Sequence, residues 1–207
     1  MLKIICAGLL IGILLFRAPV VWATNLEFGS KTILVYSNVS GDGEARFILR
    51  IVRFRPDIFL EWESVAQQGT IHFYRDAVEE GEGLALSRLF DNGVDVESEK
   101  VMSKWLPLAS YQSLIHEGRV KINLNNYSAQ LKLKNESTYE VKVDGQPTAL
   151  SVILVQDNRR GDWTFLKDPE NPLLIEYKTP YYREFLESIT TQGNGDYRWV
   201  RQIPPIK

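Results

Sequence analysis

The chain has 207 residues, with 24 Lys and Arg against 26 Asp and Glu, 44% apolar residues, one Cys and two His. This composition excludes collagen-like repeats, low-complexity chains and long heptad arrays, and leaves an ordinary globular protein. It names no activity.

Residues 1–23 read as a signal peptide. Lys3 supplies a positive start, Ile4 to Phe16 is a thirteen-residue apolar run, and Val21-Trp22-Ala23 offers small residues where a signal peptidase reads them. Cleavage is expected before Thr24. The rival reading is a retained anchor, because the apolar stretch resumes after Arg17; Arg17 and Pro19 interrupt the roughly 20 apolar residues that a spanning helix needs. Cys6 has the wrong residues before it for lipid attachment and leaves with this segment.

Cleavage removes Lys3 and Arg17 and leaves 22 basic and 26 acidic side chains, a formal charge of −4. Nucleic acid and anionic membrane are not expected as partners, since neutralising phosphates needs a basic surplus or a dense basic stripe. Membrane contact is expected only through the leader. The remaining 184 residues contain no cysteine, and a chain of that size buries about 70% of its unfolded surface without disulfides. Export without cysteine points to a bacterial periplasm, and the sequons at Asn38, Asn126 and Asn135 are then accidental.

After a lead-in to Ser30, residues 24–191 form one expected β-rich domain. Thr32 to Ser37, Ala45 to Arg55, Ile58 to Val65 and Thr70 to Arg75 alternate as strands between Gly, Pro and Asp breaks. Ile58, Leu60 and Trp62 share one face, Glu61 and Glu63 the other. Glu79 to Gly83 reads as an acidic loop, Leu84 to Phe90 as two helical turns, and Lys104 to His116 as an amphipathic helix ending at Gly118.

From Arg119 the period-two signal is clearest. Arg119 to Leu124, Ala129 to Lys134, Tyr139 to Val143 and Ala149 to Gln156 predict a four-stranded meander with turns at Asn125-Asn126 and Asp144-Gly145. Trp163 to Leu166 and Leu173 to Tyr177 add two strands. Tyr181, Phe185 and Ile189, four apart after Pro180, predict a closing helix. Residues 192–207 read as a loose tail.

The expected fold class is mainly β (α+β): about ten antiparallel strands in one curved sheet or half-barrel, with two or three short helices in its concave side. A sandwich is the competing architecture.

No catalytic set stands out, and the chain is not read as an enzyme. His72 and His116 lack metal-ligand spacing, and the 24–207 segment has neither a nucleophilic cysteine nor a Gly-x-Ser-x-Gly elbow. Ser110 and Ser113 near His116 lack an acidic orienter. The Glu61 and Glu63 pair fits a solvated strand face better than a glycosidase, and Asp76, Glu79, Glu80 and Glu82 match no calcium loop. No cofactor and no metal are expected. The candidate ligand-binding residues are therefore apolar and aromatic: Trp62, Trp105, Tyr111, Leu114, Trp163, Phe165, Tyr181 and Phe185. The same rings equally suit a core.

The stretch Ser110-Tyr111-Gln112-Ser113-Leu114-Ile115-His116-Glu117-Gly118, the strand Arg119 to Leu124, Val141-Lys142-Val143-Asp144-Gly145 and the segment from Trp163 to Leu174 resemble exported bacterial β proteins of the lipoprotein-carrier (LolA/LolB-like) half-barrel superfamily. The likeness runs from Tyr111 to Ile189. It implies a curved sheet and carries no catalytic residue over. The expected function is a non-enzymatic periplasmic protein that binds an apolar small molecule, such as a lipid or acyl chain, or an envelope protein. The alternatives are a hydrolase assembling Glu61, Glu63, His72 or His116 in space, and an assembly partner bound through a sheet edge.

Overall fold

A computed structural model describes residues 21–23, 26–86, 95–125 and 127–193. Its strands are β1 (Val21–Ala23), β2 (Ile33–Ser40), β3 (Gly43–Phe54), β4 (Ile58–Ser64), β5 (Gln68–Phe73), β6 (Gly83–Leu84), β7 (Asp95–Ser98), β8 (Val101–Met102), β9 (Arg119–Leu124), β10 (Tyr127–Val143), β11 (Gln146–Asp157), β12 (Asp162–Leu166), β13 (Leu174–Lys178) and β14 (Tyr182–Thr190). The helices are α1 (Arg75–Glu80) and α2 (Leu108–Glu117).

The fold is mainly β. The described strands make one large curved sheet in the order β7-β5-β4-β3-β2-β14-β13-β12-β11-β10-β9-β6-β8, with β1 beside β11. The sheet does not close into a barrel. It is mixed rather than wholly antiparallel: β5–β7, β6–β8, β6–β9 and β1–β11 run parallel, and the end of β10 meets β14 in parallel at Lys142 and Val143. A short strap of chain joins the two edges, since β7 lies on β5, β8 lies on β6, and only Glu99 and Lys100 separate them. The Tyr74 amide donates to Ser98 O at 3.0 Å and the Glu82 amide to Lys100 O at 2.7 Å, fixing both ends of the strap.

The turns follow their chemistry. Asp144 and Gly145 take φ of 48° and 80° between β10 and β11, the paired left-handed residues of a tight hairpin. Gly118 ends α2 at φ 71°. Inward positions such as Leu34, Tyr36, Leu49, Leu60, Ile71, Leu131, Phe165 and Leu186 merge into one buried core that takes in Tyr111 and Leu114 of α2.

Four expectations are corrected. The closing helix over Tyr181 to Ile189 is the strand β14, because a spacing of four fits a two-residue repeat as well as a helix. A register shift between Leu186 and Ser188 then puts Ile189 on the buried side. The strands Ala129 to Lys134 and Tyr139 to Val143 are one continuous β10, bulged between Leu133 and Asn135; Asn135-Glu136-Ser137-Thr138 contains neither Gly nor Pro to break the strand. The acidic loop at Glu79 begins as α1, where Ala77 and Val78 are buried and Arg75 Nε sits 2.8 Å from Glu79 Oε1 one turn on. The helix expected from Leu84 starts instead in β6, and its part from residue 87 lies outside the described residues.

Candidate functional site

Between β2, β3, β4 and β14 lies an open cavity of about 310 Å³. Strand register builds its wall. Glu184 of β14 stands opposite Asn38 of β2, which stands opposite Ala45 of β3; the next row runs Leu186, Tyr36, Phe47, Ser64. Trp62, two residues before Ser64, joins that face, and the Ser64–Gln67 turn, held by Ser64 N to Gln67 O at 2.7 Å, forms one rim. Depth orders the lining: Ala45, Ala66 and Gln67 are exposed, Asn38, Arg46, Phe47 and Ser64 half-buried, and Trp62, Leu86 and Glu184 buried.

The floor is charged. Lys104 is fully buried and Glu184 is 2% exposed, and Lys104 Nζ lies 2.6 Å from Glu184 Oε1. The same ammonium donates to Leu86 O at 3.1 Å and sits 4.9 Å from the Phe47 ring centre and 5.5 Å from that of Tyr36. The Tyr182 hydroxyl donates to Glu184 Oε2 at 2.9 Å. Two long-range contacts place this group: the Leu174 amide donates to Lys104 O at 2.7 Å, and the Leu86 amide donates to Asn125 Oδ1 at 3.0 Å. Burial lowers the Lys104 ammonium from its ordinary value, and the Glu184 carboxylate opposes that shift. Burial pushes the Tyr182 and Tyr36 hydroxyls up, with Glu184 adding to both.

At the rim Arg46 Nη2 lies 2.9 Å from Glu187 Oε1, and the Ser37 hydroxyl donates to that same oxygen. Glu184 is thus matched by Lys104 and Arg46 by Glu187. Each of these two charged groups of the lining is therefore neutralised by a neighbour within 3 Å.

Of the eight predicted ligand residues, Trp62 lines this cavity. Trp105 is buried in the core, its Nε1 donating to Asn171 Oδ1 at 2.7 Å, and Tyr111 and Leu114 are buried on α2. Trp163 stacks on Phe165 at 6.0 Å and bonds Asp157, all inside the core. Phe185 is half-buried on β14, and Tyr181 stands outside at 86% exposure. Sequence reasoning missed Phe47, Lys104 and Glu184. Lys104 is a single charge inside the apolar run Val101 to Leu108, which is the signal that marks it.

The polar residues weighed for hydrolysis lie elsewhere. His72 and Glu61 are on the outer face, where Glu61 lies 3.8 Å from Arg50. His72 Nε2 meets Asp57 Oδ2 at 2.6 Å, beside Arg53, with Tyr74 packed 4.2 Å from its ring. His116 is exposed in the last turn of α2. No group of three or more His, Cys, Asp or Glu among the described residues is arranged to hold a metal, and no described helix is long and apolar enough to cross a membrane.

For Asp57, burial raises the carboxyl and the bonds to His72 and Arg53 outweigh it, so the folded value is depressed. Its contribution is present above the unfolded value of about 3.9 and is lost as pH falls through the folded value. Asp57→Asn is expected to cost under about 1 kcal/mol at pH 7 and almost nothing at pH 2, measured by urea unfolding at both.

Compared with protein-family models, with curated proteins and with solved structures, the chain matches none.

Proposed function

We propose that this is a non-enzymatic, exported binding protein of the bacterial envelope that takes an apolar small molecule, such as an acyl chain, into the cavity between β2, β3, β4 and β14. One observation carries the reading. The curved sheet leaves a space of about 310 Å³ at the lower end of the range of ligand sites, about 300–1,000 Å³, and its walls are the Phe47 and Trp62 rings with Leu86, Ala45 and Ala66. The hydrolytic alternative draws no support from this site, because neither histidine lies on it. Export rests on residues 1–23, and the half-barrel resemblance stands beside the curved sheet as consistent with carriage.

About ten buried methylenes at about 0.8 kcal/mol each yield roughly 8 kcal/mol before the costs of association, which sets a ceiling near micromolar affinity. The test is a titration of delipidated protein with a fluorescent, uncharged acyl-chain analogue, with mass spectrometry of small molecules that travel with the native protein. Ala45→Trp, at the exposed mouth, is expected to weaken binding at least about tenfold while leaving the unfolding midpoint in place. Absence of both probe binding and any co-purified apolar molecule removes the proposal.

A second reading is favoured by β1. Its backbone pairs with Thr148 to Leu150 of β11, so cleavage before Thr24 opens a three-residue edge to which a strand of an envelope partner could add.

A further inference from the structure

We infer that the molecule in this cavity carries a hydrogen-bond donor, a hydroxyl or an amine, at its inner end, and that the Glu184 carboxylate receives it. The inference rests on the binding reading above and names the class of ligand. Glu184 is the buried charged side chain of the lining, and the ammonium that balances it stands behind the wall rather than in it. A carboxylate has about four acceptor positions. Here one oxygen takes Lys104 Nζ at 2.6 Å and the other the Tyr182 hydroxyl at 2.9 Å, which leaves acceptor capacity on both oxygens at the floor of a slot whose apolar lining is Phe47, Trp62, Leu86, Ala45 and Ala66 and whose other polar residues are Asn38, Arg46, Ser64 and Gln67.

A donor arriving there makes a charge-assisted bond to a carboxylate that is only 2% exposed. A carboxylate head arriving there meets lone pairs and like charge. Asn38, directly opposite Glu184 in the β2–β14 register, adds an amide that can orient the head. Lys104 is not a substitute anion receiver: its ammonium is committed to Glu184 and Leu86 O and packed under Phe47 and Tyr36. Arg46, the other cation of the lining, sits at the half-buried rim and is held by Glu187. The expected pose therefore has the head inward at Glu184 and the tail running past Trp62 and Phe47 toward Ala45 and Ala66.

The test uses the unmodified protein and three ligands of one chain length, decan-1-ol, decylammonium and decanoate, titrated at pH 7 with tryptophan fluorescence and calorimetry. Decanol and decylammonium are expected to bind at least about tenfold tighter than decanoate, the discrimination of one charge-assisted hydrogen bond. Decanoate binding as tightly as the other two, or tighter, overturns the inference and leaves the cavity reading standing. Failure of all three to bind overturns the cavity reading itself. A paired change, Lys104→Met with Glu184→Met, removes the buried pair without stranding either charge. In that background the preference for the donor heads is expected to vanish while decanol still binds, and a preference that survives there also overturns the inference.

Discussion

Lys104→Met is expected to lower the unfolding free energy by about 3–5 kcal/mol, and Lys104→Met combined with Glu184→Met to recover most of that loss. The asymmetry follows from what each change leaves behind. With Lys104 gone, Glu184 remains 2% exposed with the Tyr182 hydroxyl as its remaining donor, and a buried carboxylate without its counter-charge bears the full cost of desolvation. With both gone, two flexible thioether chains fill similar volume beside Phe47 and Tyr36. Urea unfolding of the four proteins in the cycle gives the coupling directly.

A Lys104→Met protein as stable as the parent at pH 7 means that the floor of the cavity is not a desolvated ion pair.

What the sequence could show of this arrangement follows from distance along the chain. Turns and alternation are local, so β2 to β5, β9 and β11 to β13 were legible from Asp144-Gly145, Gly118 and runs such as Arg119 to Leu124, whereas the single long β10 was read as two strands. The curvature of the sheet followed from strand number alone. β14 was illegible as a strand because Tyr181, Phe185 and Ile189 satisfy both periods. The partners Lys104 and Glu184 are 80 residues apart, and no local pattern joins them. Aromatic content pointed to Trp62 for the cavity, yet Trp163 and Phe165 carry the same local signal and are core. Only the register of β14 on β2 and β3 separates a ring that lines a space from one that fills it.

Asp157→Ala is expected to cost about 4 kcal/mol, comparable to losing a large core side chain. Asp157 ends β11, is 5% exposed, and accepts from the Arg159 amide at 2.7 Å, the Gly161 amide at 2.8 Å and Trp163 Nε1 at 3.1 Å. It closes the β11–β12 turn and holds the indole whose ring lies 4.1 Å from Tyr177. Alanine leaves the Gly161 amide and the indole N–H buried without their acceptor, at about 1–3 kcal/mol each. Asparagine keeps an oxygen for the two amides but turns an NH₂ toward the indole, so Asp157→Asn is expected to fall between the parent and alanine. Gly161 is part of the same device. A Cβ there would stand 2.4 Å from Asp157 Oδ2 and 2.9 Å from the Tyr177 ring, so Gly161→Ala must push the carboxylate off its three donors and is expected to destabilise comparably. Combining Asp157→Ala with Gly161→Ala should then cost far less than the sum, because the second methyl enters space the carboxylate has vacated. Additive losses across that pair would mean that the turn and the indole are held independently, and that the carboxylate does not organise the β11–β12 hairpin.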